Sequence, residues 1–235
     1  MLSNTEENYL KTLVKITIDR GIEKVGTNEL ASALTVKPAT ANDMLKKLKE
    51  KKLVIYEKYG KITLTEEGKK NAINVIRKHR LWETFLYKKL EFSWDEVHEV
   101  AEQLEHIHSQ KLVDKLDKFL GHPEFDPHGD PIPNNKGELK IQFKKTLAEV
   151  VVGNSCKMVA VKDNSSSFLQ YVVKVGLGIN NEIKVVSKQE YDAMTVIEVN
   201  GVLSSVSHKF TENIFVVCKN CIIGKSCPKT KCEIK

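Results

Sequence analysis

Apolar positions recur every three or four residues through the first half of the chain, then fall into short β-branched runs through the second. That change of period predicts helices followed by strands. From about Glu6 to Asp19, Tyr9, Leu13 and Ile16 share one helical face, and Gly21 closes the segment. Thr27 reads as the N-cap of a short helix, Asn28 to Leu34, that buries Leu30, Ala31 and Leu34. After the tight connection Thr35-Val36-Lys37-Pro38, a helix over about Ala39 to Lys51 buries Met44, Leu45 and Leu48. Two short helices joined in this way make a helix-turn-helix. Leu53 to Tyr56 and Ile62 to Leu64, on either side of Tyr59-Gly60-Lys61, then predict a β-hairpin, the wing. Thr65 opens a long helix to about Leu90; a second runs from about Ser93 to Ile107 and a third from Ser109 to Leu120. The proline- and glycine-rich stretch from Gly121 to Gly137 reads as a linker or irregular crossing loop. Beyond Leu147, the runs Glu149–Val152, Met158–Val161, Phe168–Val175, Glu182–Val186, Ala193–Val199 and Val202–Val206 predict strands of a small barrel or sandwich. Cys156 reads as a buried strand residue, and the residues from Cys218 onward are polar and cysteine-rich.

Composition narrows the class. The 235 residues suffice for one large domain or a few small ones. No apolar run approaches the length of a membrane span, so no membrane association is expected. The opening MLSNTEENYL lacks a basic stretch followed by an apolar core, so no export signal is expected. Cys156 stands apart while the other four of the five cysteines crowd the end, a pattern that favours a reducing cytoplasm. Net charge is +6 and unevenly spread: residues 1–73 carry +4, residues 74–138 carry −4 and residues 139–235 carry +6. A basic first module suits a polyanion, and an acidic middle suits a bound cation.

Two constellations carry chemistry. In the helix-turn-helix, Lys46, Lys47, Lys49, Lys51 and Lys52 can neutralise phosphates. Thr40, Asn42 and Asp43 can read base edges, Pro38 and Ala39 can touch thymine methyls, and Thr27 and Lys37 complete the expected DNA contacts. Four of the seven histidines fall between positions 79 and 108, interleaved with glutamates at helical spacing. His79 and Glu83 project together, as do His98, Glu102, Glu105 and His106, with His108 just behind. Two such faces make an imidazole–carboxylate cage suited to manganese, iron, cobalt, nickel or zinc. A third feature, Cys218-x-x-Cys221 with Cys227 and Cys232, could build a zinc or iron–sulfur site. A metal-cage hydrolase would need an open coordination position and a substrate cleft, and no nucleophile or general-base arrangement stands beside the cage. A metal or iron–sulfur storage or delivery protein would rest on the cysteine tail instead.

The run Val75-Ile76-Arg77-Lys78-His79-Arg80-Leu81, with Glu83, Val97-His98, Glu102 and Leu104-Glu105-His106, resembles the diphtheria toxin repressor (DtxR)/MntR family of metal-dependent repressors. So do Leu53-Val54-Ile55-Tyr56-Glu57-Lys58-Tyr59 in the wing and His128-Gly129-Asp130-Pro131-Ile132-Pro133 after the third helix. The resemblance implies an α+β chain: a winged helix-turn-helix over residues 1–73 and a helical dimerisation and metal-binding domain over 74–138. An SH3-like, FeoA-type β-barrel over 139–217 and a cysteine-rich tail over 218–235 would follow. It implies a cytoplasmic homodimer, not an enzyme and without a small-molecule substrate. Loaded with Mn2+ or Fe2+ at two sites per subunit, it would bind double-stranded operator DNA and repress manganese or iron homeostasis genes. His79, Glu83 and His98 match one family site, and Glu102, Glu105 and His106 match the second. Glu102 resembles the manganese-responsive members, whereas the iron-responsive ones have Cys there; a hard carboxylate favours manganese. Asn8 stands where the family usually has Asp or Met, and can offer a carbonyl oxygen; Lys11 stands where manganese-type members use an acid. Longer members also close one site from the SH3-like domain, which points to Asp163, near Asn164, Ser167 and Gln170.

Overall fold

The computed structural model describes residues 1–56, 60–140 and 144–218. Its contacts divide into two compact units. The first comprises residues 1–82, 101–123 and 132–139; the second comprises residues 83–100, 124–131 and those from 140 onward.

In the first unit, α1 (Asn4–Arg20) starts at a Ser3/Glu6 capping box and ends at Gly21, whose positive φ of 62° suits glycine. A two-residue strand, β1 (Val25–Gly26), leads into α2 (Thr27–Ala33), and α3 (Pro38–Glu50) begins with Pro38 in its first turn. The cap of α2 is Gly26, so Thr27 is the first helical residue rather than the N-cap that its side chain suggests. The Thr27 hydroxyl instead donates to the Gly60 carbonyl at 2.9 Å, which fastens the start of α2 to the wing. The wing strands β2 (Val54–Tyr56) and β3 (Lys61–Leu64) pair antiparallel, and β1 joins the far side of β3. Glu57 to Tyr59, which carry part of the wing resemblance, lie outside the described residues. Leu10, Leu13, Leu30, Ala41, Leu45, Leu48 and Ile62 fill the core of this head.

The long helix α4 (Glu66–Leu90) and the short α5 (Val97–Leu104) each run from one unit into the other; α6 (Gln110–Phe119) follows in the first. Thr65 accepts the Gly68 amide at 3.0 Å and so opens α4 as its sequence predicts. The acidic helix is shorter than its periodicity suggests. Ser93 and Glu96 bond each other in a turn before it, and Glu105 and His106 lie in the turn that closes it.

In the second unit, β4 (Lys145–Thr146), β5 (Ser155–Val161), β6 (Glu182–Lys188), β7 (Thr195–Val199), β8 (Val202–Val206) and β9 (Ile214–Cys218) form an antiparallel sheet in the order β4-β9-β5-β6-β7-β8. Alternating residues face its core, so Cys156, Met158, Ile183, Val185 and Ile197 are fully buried. Two expected strands are absent. Residues 168–174 belong instead to α7 (Ser166–Lys174), with Val175 as its C-cap, and the stretch 149–152 is the end of a 3-10 turn with the coil after it. The β-branched Val172-Val173-Val175 run favours a strand by propensity, at a few tenths of a kcal/mol per residue. Burying Leu169 and Val172, one helical turn apart, is worth roughly 1.5–3 kcal/mol each, and the helix wins. The sequence reading also missed β9, which lies between β4 and β5, and the short α8 (His208–Glu212).

Candidate metal centre and nucleic-acid interface

In the first unit, α4 presents His79, the end of α5 presents Glu102, and the turn after it presents Glu105 and His106. Ligand atoms of His79, Glu102 and Glu105 all lie within 4.8 Å of one another. Glu105 is fully buried, and its Oε2 lies 2.6 Å from His79 Nδ1. A proton on Nδ1 would be donated to this carboxylate and would leave the Nε2 lone pair for a metal. Glu105 Oε1 is buried and accepts no hydrogen bond among the described residues.

Helix α1 supplies the facing groups. Glu7, only 6% exposed, places Oε2 at 2.6 Å from His106 Nδ1 and Oε1 at 3.6 Å from the buried Lys78 ammonium. Asn8 Oδ1 is buried with no hydrogen-bond partner among the described residues, an acceptor suited to a cation. One turn on, the Lys11 ammonium lies 2.6 Å from Glu102 Oε1, 2.7 Å from Glu105 Oε2 and 3.5 Å from His79 Nδ1. Sequence reading found neither the Glu7–His106 bond nor the reach of Lys11. The available signal was a pair of charged residues, Glu7 and Lys11, on the stripe of α1 that also carries Leu10 and Val14.

The second unit contains Glu83 and His98. Glu83 is 1% exposed, and its Oε1 lies 3.0 Å from His98 Nδ1. The same oxygen is 3.6 Å from Nδ1 of the fully buried His128, an ion-pair rather than a hydrogen-bond distance. His128 Nε2 bonds the Trp94 carbonyl at 2.9 Å, and its ring stacks on the Trp94 indole. Burial alone would lower the His128 pKa, but the negative charges of Glu83 and Asp126 and the Trp94 carbonyl outweigh it and raise it to about 9. Asp126 holds this loop in shape by accepting the His128 and Asp130 amides. Asp163 caps a turn of its own backbone, where its Oδ1 accepts the Ser165 amide at 2.8 Å. Nearby, Gln170 and Ser166 donate to Asp95, and with Ser93 they hold its carboxyl below the usual range.

Along the expected nucleic-acid face, Lys37, Pro38, Ala39, Thr40, Asp43, Lys46 and Lys47 are exposed at the start of α3. Asn42 is half-buried and accepts the Tyr56 hydroxyl at 2.6 Å, and Thr27 is buried at the base of the wing. Cys156 is buried in β5, where burial, then the neighbouring Cys218, push its thiol up to about 12. Cys218 ends β9 opposite it, while Cys221, Cys227 and Cys232 lie outside the described residues.

Three family models match in sequence: "iron dependent repressor, N-terminal DNA binding domain" over residues 1–62, "iron dependent repressor, metal binding and dimerisation domain" over 65–134, and "FeoA domain" over 145–218. A solved manganese-dependent transcriptional repressor in complex with manganese superposes with a TM-score of 0.80 at 33% identity, over 91% of this chain and 99% of that one. The chain belongs to the DtxR/MntR family of metal-dependent transcriptional repressors. Within that family, it is 29% identical over 146 residues to the transcriptional regulator MntR of Bacillus velezensis, covering 62% of this chain and 96% of that one. It is 32% identical over 132 residues to the iron-dependent repressor IdeR of Mycobacterium tuberculosis, covering 56% of each. The chain thus spans about half the length of the IdeR relatives it matches. As a DtxR/MntR member it falls among DNA-binding repressors rather than enzymes, which removes the hydrolase reading of the cage.

Proposed function

We propose that this repressor is a cytoplasmic homodimer that binds operator DNA of manganese or iron homeostasis genes when loaded with a divalent metal, with manganese favoured. Residues 1–73 would read DNA, 74–138 would dimerise and sense metal, and 139–217 would form the FeoA-type module. The observation that carries the reading is the position of α1. This helix packs into the head that holds α3, yet its Glu7 and Lys11 face His106, Glu102 and Glu105.

His79, Glu83 and His98 would hold one ion. His79 and Glu83 stand one turn apart on α4, Glu83 and His98 are already paired, and the buried Glu105 orients the His79 ring. Glu102, Glu105, His106 and Asn8 form the second candidate set, and Asp163 is a further candidate whose turn would have to open. A bound divalent ion supplies only positive charge shared among these ligands. The side chains do the rest: Glu7 and His106 hold α1 to the turn after α5, so the position of the cage sets the position of the head. In a dimer this fixes the spacing of two α3 helices, which half-sites one turn or a multiple apart require. Because metal favours the DNA-competent state, DNA must tighten metal in return.

Contacts to DNA would come from Lys37, Pro38, Ala39, Thr40, Asn42, Asp43, Lys46 and Lys47, with Thr27 supporting the wing. The cysteines Cys218, Cys221, Cys227 and Cys232 would provide a separate zinc or iron–sulfur site. An electrophoretic shift on the chain's own promoter region, with Mn2+, Fe2+ or Zn2+, tests the reading. Metal should stimulate binding by the wild type and not by His79→Ala; equal, metal-independent shifts for both would refute it.

A further inference from the structure

The Lys11 ammonium bridges the two carboxylates of the second candidate set. It lies 2.6 Å from Glu102 Oε1 and 2.7 Å from Glu105 Oε2, the lengths of charge-assisted hydrogen bonds. Lys11 is 5% exposed and Glu105 fully buried, so neither charge is neutralised by water. Two carboxylates and an imidazole this close together require a cation, and here the chain's own ammonium is that cation. A lysine suits the place, with a compact charge and three donors on a four-carbon stem.

We propose that Lys11 is an internal counter-ion that competes with a divalent metal for Glu102 and Glu105. It rests on the reading of these residues as a repressor's metal-sensing cage. A metal at this set would share both carboxylates with the ammonium, and two cations on one carboxylate pair repel each other. Occupation of this set therefore requires the ammonium to withdraw. Glu83 is met by imidazoles, His98 at 3.0 Å and His128 at 3.6 Å. The chain accordingly binds one divalent ion tightly and discriminates against a second. Because Lys11 belongs to α1, the same competition keeps α1 tied to the cage in the metal-free protein.

The test is equilibrium Mn2+ binding to the full chain by dialysis and elemental analysis, with thermal melting of the metal-free protein alongside. Wild type should bind one Mn2+ per chain tightly. Lys11→Met should bind a second with at least tenfold higher affinity than wild type, and its metal-free form should melt earlier while gaining more from Mn2+. Lys11→Gln, which keeps a donor of similar length, gives the same direction should the methionine variant not fold. Two tight Mn2+ ions in wild type, or unchanged binding in both lysine variants, would overturn the proposal. Glu83→Gln separates the two claims. Retained tight binding in that variant would refute the first-site assignment, and the lysine variants still decide the role of Lys11.

Discussion

Glu7→Gln should destabilise the metal-free protein through Lys78. The Lys78 side chain is 3% exposed, the Glu7 side chain is 8% exposed, and their charges stand 3.6 Å apart. At an effective dielectric of about 20, that separation corresponds to roughly 4–5 kcal/mol of attraction. Removing one partner of a buried pair typically costs about 3–5 kcal/mol, because the other charge stays buried and uncompensated. Glutamine keeps the shape and an oxygen able to accept from His106, so some of that cost is recovered and about 2–4 kcal/mol should remain. For a chain of this size, the melting temperature should fall on the order of 10 °C. Circular dichroism at a helical wavelength follows the helix-rich first unit. The decisive comparison is the double variant Glu7→Gln/Lys78→Met, which removes both charges and should melt above Glu7→Gln alone. A loss below about 0.5 kcal/mol for the single variant, or strictly additive losses, would refute the reasoning.

Other outcomes follow from the same geometry. Gly129→Ala should unfold the second unit or lower its melting point steeply, because φ is +85° and an added Cβ would meet the Val159 carbonyl and sit 2.8 Å from Ala160 Cβ; a melt within about 2 °C of wild type, an order-of-magnitude margin for a harmless substitution, would contradict this. The raised His128 pKa gives a signed pH dependence. The folded value, about 9, lies above the ordinary 6.5, so its stabilisation is full below 6.5 and is lost as pH rises through 9. Metal-free wild type should lose stability across that window in urea titrations, while a flat profile matching His128→Asn would reject the assignment. Lys46→Ala should weaken binding to specific and unrelated DNA alike and reduce the salt slope by about one; an unchanged slope would remove Lys46 from the phosphate contacts.

Much of the α-helical half was legible because its elements bury one stripe each. Tyr9 and Leu13, then Leu30 and Ala31, then Leu45 and Leu48 recur at helical spacing, and Thr65 caps α4 as a threonine at that position should. Local chemistry misled where tertiary burial outweighed it. Valines at 172, 173 and 175 favour a strand, yet Leu169 and Val172 are buried from a helix. An imidazole–carboxylate cage was legible in kind, because imidazoles and glutamates at three- and four-residue spacing share a face; the sequence set His79 with Glu83 and His98, whereas in the first unit it stands against Glu102 and Glu105. Lys11 and Glu7 were not, because what they meet depends on where α5 lies and no periodicity encodes that distance. His128 was visible only through family resemblance; its contact with Glu83 joins residues 45 positions apart, 83 and 128, and arises from the Asp126 turn.

Fluorescence anisotropy of labelled promoter DNA, titrated with the 235-residue chain with and without Mn2+, tests the central claim most directly. The account predicts that Mn2+ tightens binding by at least about tenfold, a coupling near 1.4 kcal/mol, and that a metal chelator reverses it. Equal affinity with metal and with chelator would contradict it.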